Sequence, residues 1–163
     1  MQTIPSIQNA KRVAISNMVR TMAQSPHSLE IYTQLNRALK EGKLSPKLRV
    51  QIALIVAQAN GCEYSLVQHA SRARQLGLSK EEIVASQCGR TADAKTNTAL
   101  QFARNLVLRN ADVAIMSLRE SGFDNAEIVE IVAHVSLNSF ENHFNDIAET
   151  SLDFPKLAAR AAA

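Results

Sequence analysis

The chain has 163 residues, 46% of them hydrophobic and 20% charged, with a formal net charge of +3. That is enough for a single domain over residues 1–163 with a sizeable core, and too apolar for a disordered chain. The Lys and Arg residues are scattered and aromatics are few, so nucleic acid is set aside as a partner.

No apolar run reaches the ~20 residues that span a bilayer, and Lys11, Arg12 and Arg20 interrupt any N-terminal apolar leader. A cytoplasmic protein with no membrane partner is expected. Two cysteines, Cys62 and Cys88, are too few for a disulfide framework. Metal binding has no support, because there is no His-Glu-x-x-His, no paired-cysteine motif and no Asp-rich loop. No cofactor is expected either.

In chain order, Ile7, Ala10, Ala14, Met18 and Met22 recur at helical spacing over residues 6–23 and predict an amphipathic first helix. Ser25-Pro26 breaks it, with His27 read as a turn residue. Leu29, Ile31, Tyr32, Leu35 and Leu39 mark a second helix ending at Gly42. Ser45-Pro46 starts a third, Ser as N-cap and Pro at the first helical position. Over residues 46–59 it is apolar almost all round past its first turn, interrupted only by Gln51 and Gln58, as a central helix is.

Asn60-Gly61 ends that helix, since Gly accepts the left-handed conformation just past the last turn. The motif helix, 62–76, closes at Gly77, and Ser79 with Glu82 forms a capping box opening a short helix to about Cys88. Residues 92–109 read as helical, followed by a short helix ending near Gly122. Asp124 and Glu127 form a second capping box, opening a mostly apolar helix at 128–137 that Asn138 is expected to end. No alternating strand pattern of any length occurs, and 157–163 reads as a frayed helix. The fold class is therefore all-α, a bundle around the 46–59 and 128–137 helices.

Chemistry concentrates at Asn60-Gly61-Cys62-Glu63-Tyr64-Ser65-Leu66-Val67-Gln68-His69. A thiol in the first turn of a helix faces unpaired backbone N–H groups and the positive end of the dipole, so the pKa of Cys62 is expected to fall, Glu63 limiting the drop. Cys62, Ser65 and His69 fall on one helical face, and a Ser65–His69 hydrogen bond is natural at i, i+4. Tyr64 reads as a pocket wall or interface residue, and Cys88 as a core residue or a resolving thiol. His134 and Asn138, near Glu141, Asn142 and His143, form a polar cluster read as interhelical contacts, with a pocket role as the alternative.

The Asn-Gly-Cys-x-x-Ser-(three residues)-His stretch resembles the Asn-Gly-Cys-x-x-Cys-(three residues)-His signature of the carboxymuconolactone decarboxylase superfamily, in particular its alkyl hydroperoxidase D (AhpD)-like branch. The helix before the motif, the Leu-Gly-Leu-Ser-Lys-Glu-Glu-Ile turn after it and the late Asn-Ser-Phe-Glu-Asn-His-Phe-Asn-Asp stretch with Asp153-Phe154-Pro155 extend the resemblance over about residues 28–155, leaving 1–27 as an N-terminal helical extension. It implies an all-helical homo-oligomer, a trimer or hexamer. It also implies a thiol-dependent alkyl hydroperoxidase with Cys62, Ser65 and His69 as site residues, and an external thiol or Cys88 to resolve the oxidised cysteine. Two positions depart from the pattern: the second cysteine is Ser65, and the glutamate of the preceding helix falls at Val50.

Three functions stay open at this point. The first is a one-cysteine peroxidase reducing a small peroxide. The second is a lyase or isomerase on a small carboxylic acid or lactone, with His69 as general acid or base. The third is a non-catalytic oligomer. An anion-binding pocket with Arg beside His69 favours the second, an apolar channel to Cys62 the first, and a buried, unreactive Cys62 with a solvent-free Ser65–His69 pair the third.

Overall fold

A computed structural model describes residues 16–110 and 114–152, and every element in them is a helix. In chain order these are α1 Asn17–Met22, α2 Pro26–Lys40, α3 Pro46–Asn60, α4 Glu63–Gln75, α5 Lys80–Gln87, α6 Ala94–Val107, α7 Ile115–Glu120 and α8 Asn125–Ile147. None is long and apolar enough to cross a membrane. Residues 6–15 of the expected first helix, Asp153-Phe154-Pro155 and the expected 157–163 helix lie outside the described residues.

The local signals act as sequence physics requires. Ser45 Oγ accepts from Leu48 N–H with Pro46 at the first helical position, satisfying a donor that the first turn leaves unpaired. Gly61, at φ +71°, ends α3: its N–H bonds to Gln58 O, and Cys62 N–H reaches back to Ala57 O, the paired closure of a left-handed C-terminus. Both capping boxes form, Ser79 with Glu82 and Asp124 with Glu127. His27 is a correction. Ser25 caps α2 and Pro26 starts it, so His27 lies in the first turn of a helix and not in a loop.

α3 is the hub, packing against α4, α5, α6 and α8. Leu48, Ile52, Ile55 and Val56 on one side meet Leu100, Ala103, Leu118, Ile131 and Val135. Val50 and Leu54 on another meet Ala70, Ala73, Leu78 and Ile83. Because Leu54 is fully buried, cutting it to Ala should cost about 3 kcal/mol in lost transfer energy and residual cavity.

The largest departure from expectation is α8. It runs unbroken from Asn125 to Ile147, because the Asn138 amide does not cap a helix end but donates to His134 O one turn back, at 2.7 Å. A polar residue can stay in mid-helix by bonding its own backbone in this way. The continuation carries Glu141 inward and leaves His143 exposed.

Candidate functional site

α3 ends and α4 begins beside α8, and the two halves of the motif face different parts of that junction. Cys62 is the N-cap residue of α4 and is 1% exposed, among Met18, Met22 and Tyr64. Its thiol donates to Ser65 Oγ at 3.4 Å, and the same oxygen accepts from Asn145 Nδ2 of α8 at 3.4 Å. Ser65 is 0% exposed.

The thiol departs from the expected direction of its pKa, which is raised. Burial is the main cause, with the Asp146 carboxylate adding to it, and the Ser65 hydroxyl and N–H, which would turn to a thiolate, only partly offset them. The first turn's donors are present, but the chain around them keeps out the water that a charged sulfur needs. The expected Ser65–His69 bond is also replaced: Ser65 is taken by Cys62 and Asn145, and His69 looks elsewhere.

His69 lines a cavity of about 520 Å³ between α2, α3, α4 and α8, which Cys62, Ser65 and Tyr64 do not line. His134, Asn138 and Glu141 reach it from α8 at positions i, i+4 and i+7, one helical face, joined by Tyr32, Asn36 and Lys40 of α2, Val50 of α3, Arg49, whose guanidinium donates to Leu39 O and Lys40 O, and Arg72, whose guanidinium donates to Gln75 Oε1. His69 Nε2 stands 3.8 Å from Glu141 Oε2. That nitrogen is enclosed and has no hydrogen-bond partner, as is Nε2 of His134. The other Glu141 oxygen accepts from the Tyr32 hydroxyl at 2.7 Å, which in turn accepts from Asn36 Nδ2 at 2.9 Å.

Burial sets the charge state. It pushes His69 down to about 4 and His134 down to about 4, Arg49 contributing to the latter. It pushes Glu141 up to about 7, against the Tyr32 hydrogen bond and Lys40. Near neutral pH both imidazoles are therefore uncharged, and His69 with Glu141 is a close pair but not an ion pair. No three His, Cys, Asp or Glu among the described residues are grouped to hold a metal ion.

Of the residues that the sequence singled out, His69, His134 and Asn138 come together at the cavity, while Cys62, Ser65 and Tyr64 form a buried group beside it. Tyr64 does not line this cavity and packs in the cluster around Cys62. Cys88 is free and half-buried, at the C-terminal cap of α5, and it lines a separate cavity with Lys80 and Arg90. Glu141 was missed as a site residue, because ending the helix at Asn138 hid its register with His134. Seven-residue spacing on one helical face was the signal that could have found it.

The profile of the carboxymuconolactone decarboxylase family matches residues 26–109, more than half of the chain, from α2 through the motif to α6. The chain belongs to the carboxymuconolactone decarboxylase family. Solved structures share the fold of this family member. The debrominase Bmp8, as a cysteine-to-alanine variant in complex with 2,3,4-tribromopyrrole, is 19% identical at a TM-score of 0.76, over 85% of this chain and 78% of that one. An uncharacterised peroxidase-related protein from Silicibacter sp. TM1040 is 23% identical at 0.74, over 82% and 74%. A protein of unknown function from Agrobacterium tumefaciens, named for the antioxidant defence protein AhpD, is 18% identical at 0.74, over 83% and 97%. Comparison with curated proteins gave no match.

Proposed function

We propose that this family member is an acid–base catalyst, a lyase or isomerase acting on a small carboxylic acid or lactone, with His69 as the general acid or base. The observation that carries the reading is the composition of the His69 cavity: Lys40, Arg49 and Arg72 line it against one carboxylate among the described residues, and Cys62 does not reach it. Cations around an enclosed imidazole attract an organic anion and stabilise charge that develops on its carboxylate or enolate oxygen. A cavity of about 520 Å³ is of small-molecule size, and a neutral imidazole is the form that can accept a proton.

The test is solvent-deuterium exchange into a panel of small lactones and unsaturated carboxylic acids, followed by proton NMR. Exchange or turnover that His69→Gln abolishes and Cys62→Ser preserves is the expected result. The reverse pattern overturns it.

A second reading is favoured by the 3.4 Å contact of Cys62 Sγ with Ser65 Oγ at the start of α4. It is the thiol-dependent alkyl hydroperoxidase of AhpD-like type: thiolate attack on the peroxide oxygen forms cysteine sulfenic acid and releases the alcohol, and an external thiol or Cys88 then reduces the sulfur with loss of water. It requires the Met18–Met22–Tyr64 cover to open. We also infer a homo-oligomer, because Ile31, Val129, Val132 and Phe140 are exposed apolar side chains on the two packed helices α2 and α8.

A further inference from the structure

We propose that Glu141 of α8 is the positioning carboxylate of His69: it takes the proton of the enclosed Nε2 and so leaves Nδ1 as the nitrogen that works on a ligand in the cavity. The inference rests on the acid–base reading and adds to it a residue that neither the motif nor the family profile, which ends at residue 109, contains.

The geometry carries it. The two nitrogens of an imidazole lie on different edges of the ring, and Nε2 is the one turned to Glu141 Oε2, 3.8 Å away and without another partner. Closing that gap by less than about 1 Å gives an ordinary N–H···O bond, a tightening that ligand binding commonly supplies. Glu141 is itself held, because the Tyr32 hydroxyl occupies its other oxygen and Asn36 fixes that hydroxyl. Two helices, α2 and α8, thus aim one carboxylate at one imidazole nitrogen of α4. Val50, where the resemblance implies a glutamate, lines the same cavity from α3. The carboxylate that is absent from α3 is provided by α8.

The proton count closes without a co-reactant. With Glu141 ionised, His69 carries its proton on Nε2 and the Nδ1 lone pair accepts a proton from the bound acid. The imidazolium that forms is balanced by the carboxylate, and returning the proton to the substrate restores the neutral ring. With Glu141 protonated, its O–H donates to Nε2 instead, the ring proton moves to Nδ1, and the base is lost. The other charged or titratable groups facing the pair are Tyr32 and Lys40 from α2, Arg49 from α3, Arg72 from α4 and His134 from α8. The Tyr32 hydrogen bond and Lys40 favour the ionised carboxylate, and burial, which pushes Glu141 up to about 7, opposes it.

The experiment needs no substrate, so its failure is distinct from failure of the acid–base reading. In protein labelled with nitrogen-15, long-range proton–nitrogen spectra of His69 are followed against pH for the wild type, Glu141→Gln and Tyr32→Phe. The wild-type ring should move its proton from Nε2 to Nδ1 as the pH falls through about 7 while staying uncharged, and should become cationic only at lower pH. Glu141→Gln should abolish the tautomer step and leave a single charging transition near the wild type's final midpoint, which burial sets. Tyr32→Phe, which keeps the carboxylate but removes its donor, should move the step to higher pH. A single charging transition in the wild type, or His69 signals in whichever variant folds that match the wild type, overturns the proposal.

Discussion

Cys62 and His69 stand seven residues apart, about two turns along the start of α4, yet they do not share a site: the thiol is enclosed with Met18, Met22 and Tyr64, and the imidazole lines a cavity opposite Glu141. The division follows from where α1 and α8 pack. α1 covers the sulfur, while α2 and α8 hold the cavity open at the imidazole.

Alkylation should reverse the order that the motif suggests. Cys62 is 1% exposed and Cys88 half-buried, so iodoacetamide near neutral pH should label Cys88 at least ~10-fold faster, local opening being required at Cys62. Peptide mass analysis over time gives both rates, and denaturant should remove the difference. Faster labelling of Cys62 in the native protein favours the peroxidase reading.

Proton abstraction by His69 should fall as the pH drops through about 7, set by Glu141 and not by the imidazole, which stays uncharged down to about 4. The rate of solvent exchange into an accepted substrate, measured from about pH 5 to 9, should show this limb. Glu141→Gln should lower the rate by ~10-fold or more and displace the limb. A limb unchanged in that variant contradicts the assignment.

The same carboxyl makes stability depend on pH. The folded pKa of Glu141 is raised, so its contribution is fully present below the unfolded value of about 4.5 and is lost as the pH rises through about 7. His69 is depressed from 6.5 to about 4, so its contribution is present above 6.5 and lost as the pH falls through 4. Glu141→Gln should therefore gain stability over the wild type at about pH 8, with a ceiling on the order of 3 kcal/mol, and lose that gain by about pH 5. Thermal melts at the two pH values decide it; a gain at the lower pH alone is the wrong sign.

Self-association should be visible at micromolar concentration. Sedimentation should show a species heavier than the 17.8 kDa chain, and Val129→Glu with Ile31→Glu, both at exposed positions, should shift it towards monomer without changing the circular dichroism. A wild type that sediments only as monomer removes the oligomer from the proposal.

The sequence by itself determined the helices and most of their ends. Ser45-Pro46, Ser79 with Glu82, Asp124 with Glu127 and Gly61 act through hydrogen bonds within about four or five residues, so the information lies within the stretch that uses it. The apolar circumference of 46–59 likewise identified the hub. It misjudged Asn138 because an amide can cap a helix end or bond one turn back, and only the packing of α8 against α3 and α6 selects the second. What the tertiary structure alone decided is the chemistry. The pKa direction of Cys62 turns on its burial and on Asp146, 84 positions away in the chain, and the carboxylate beside His69 Nε2 is that of Glu141, 72 positions away. Dehydration and charge act through space, so no reading of the motif alone contains them.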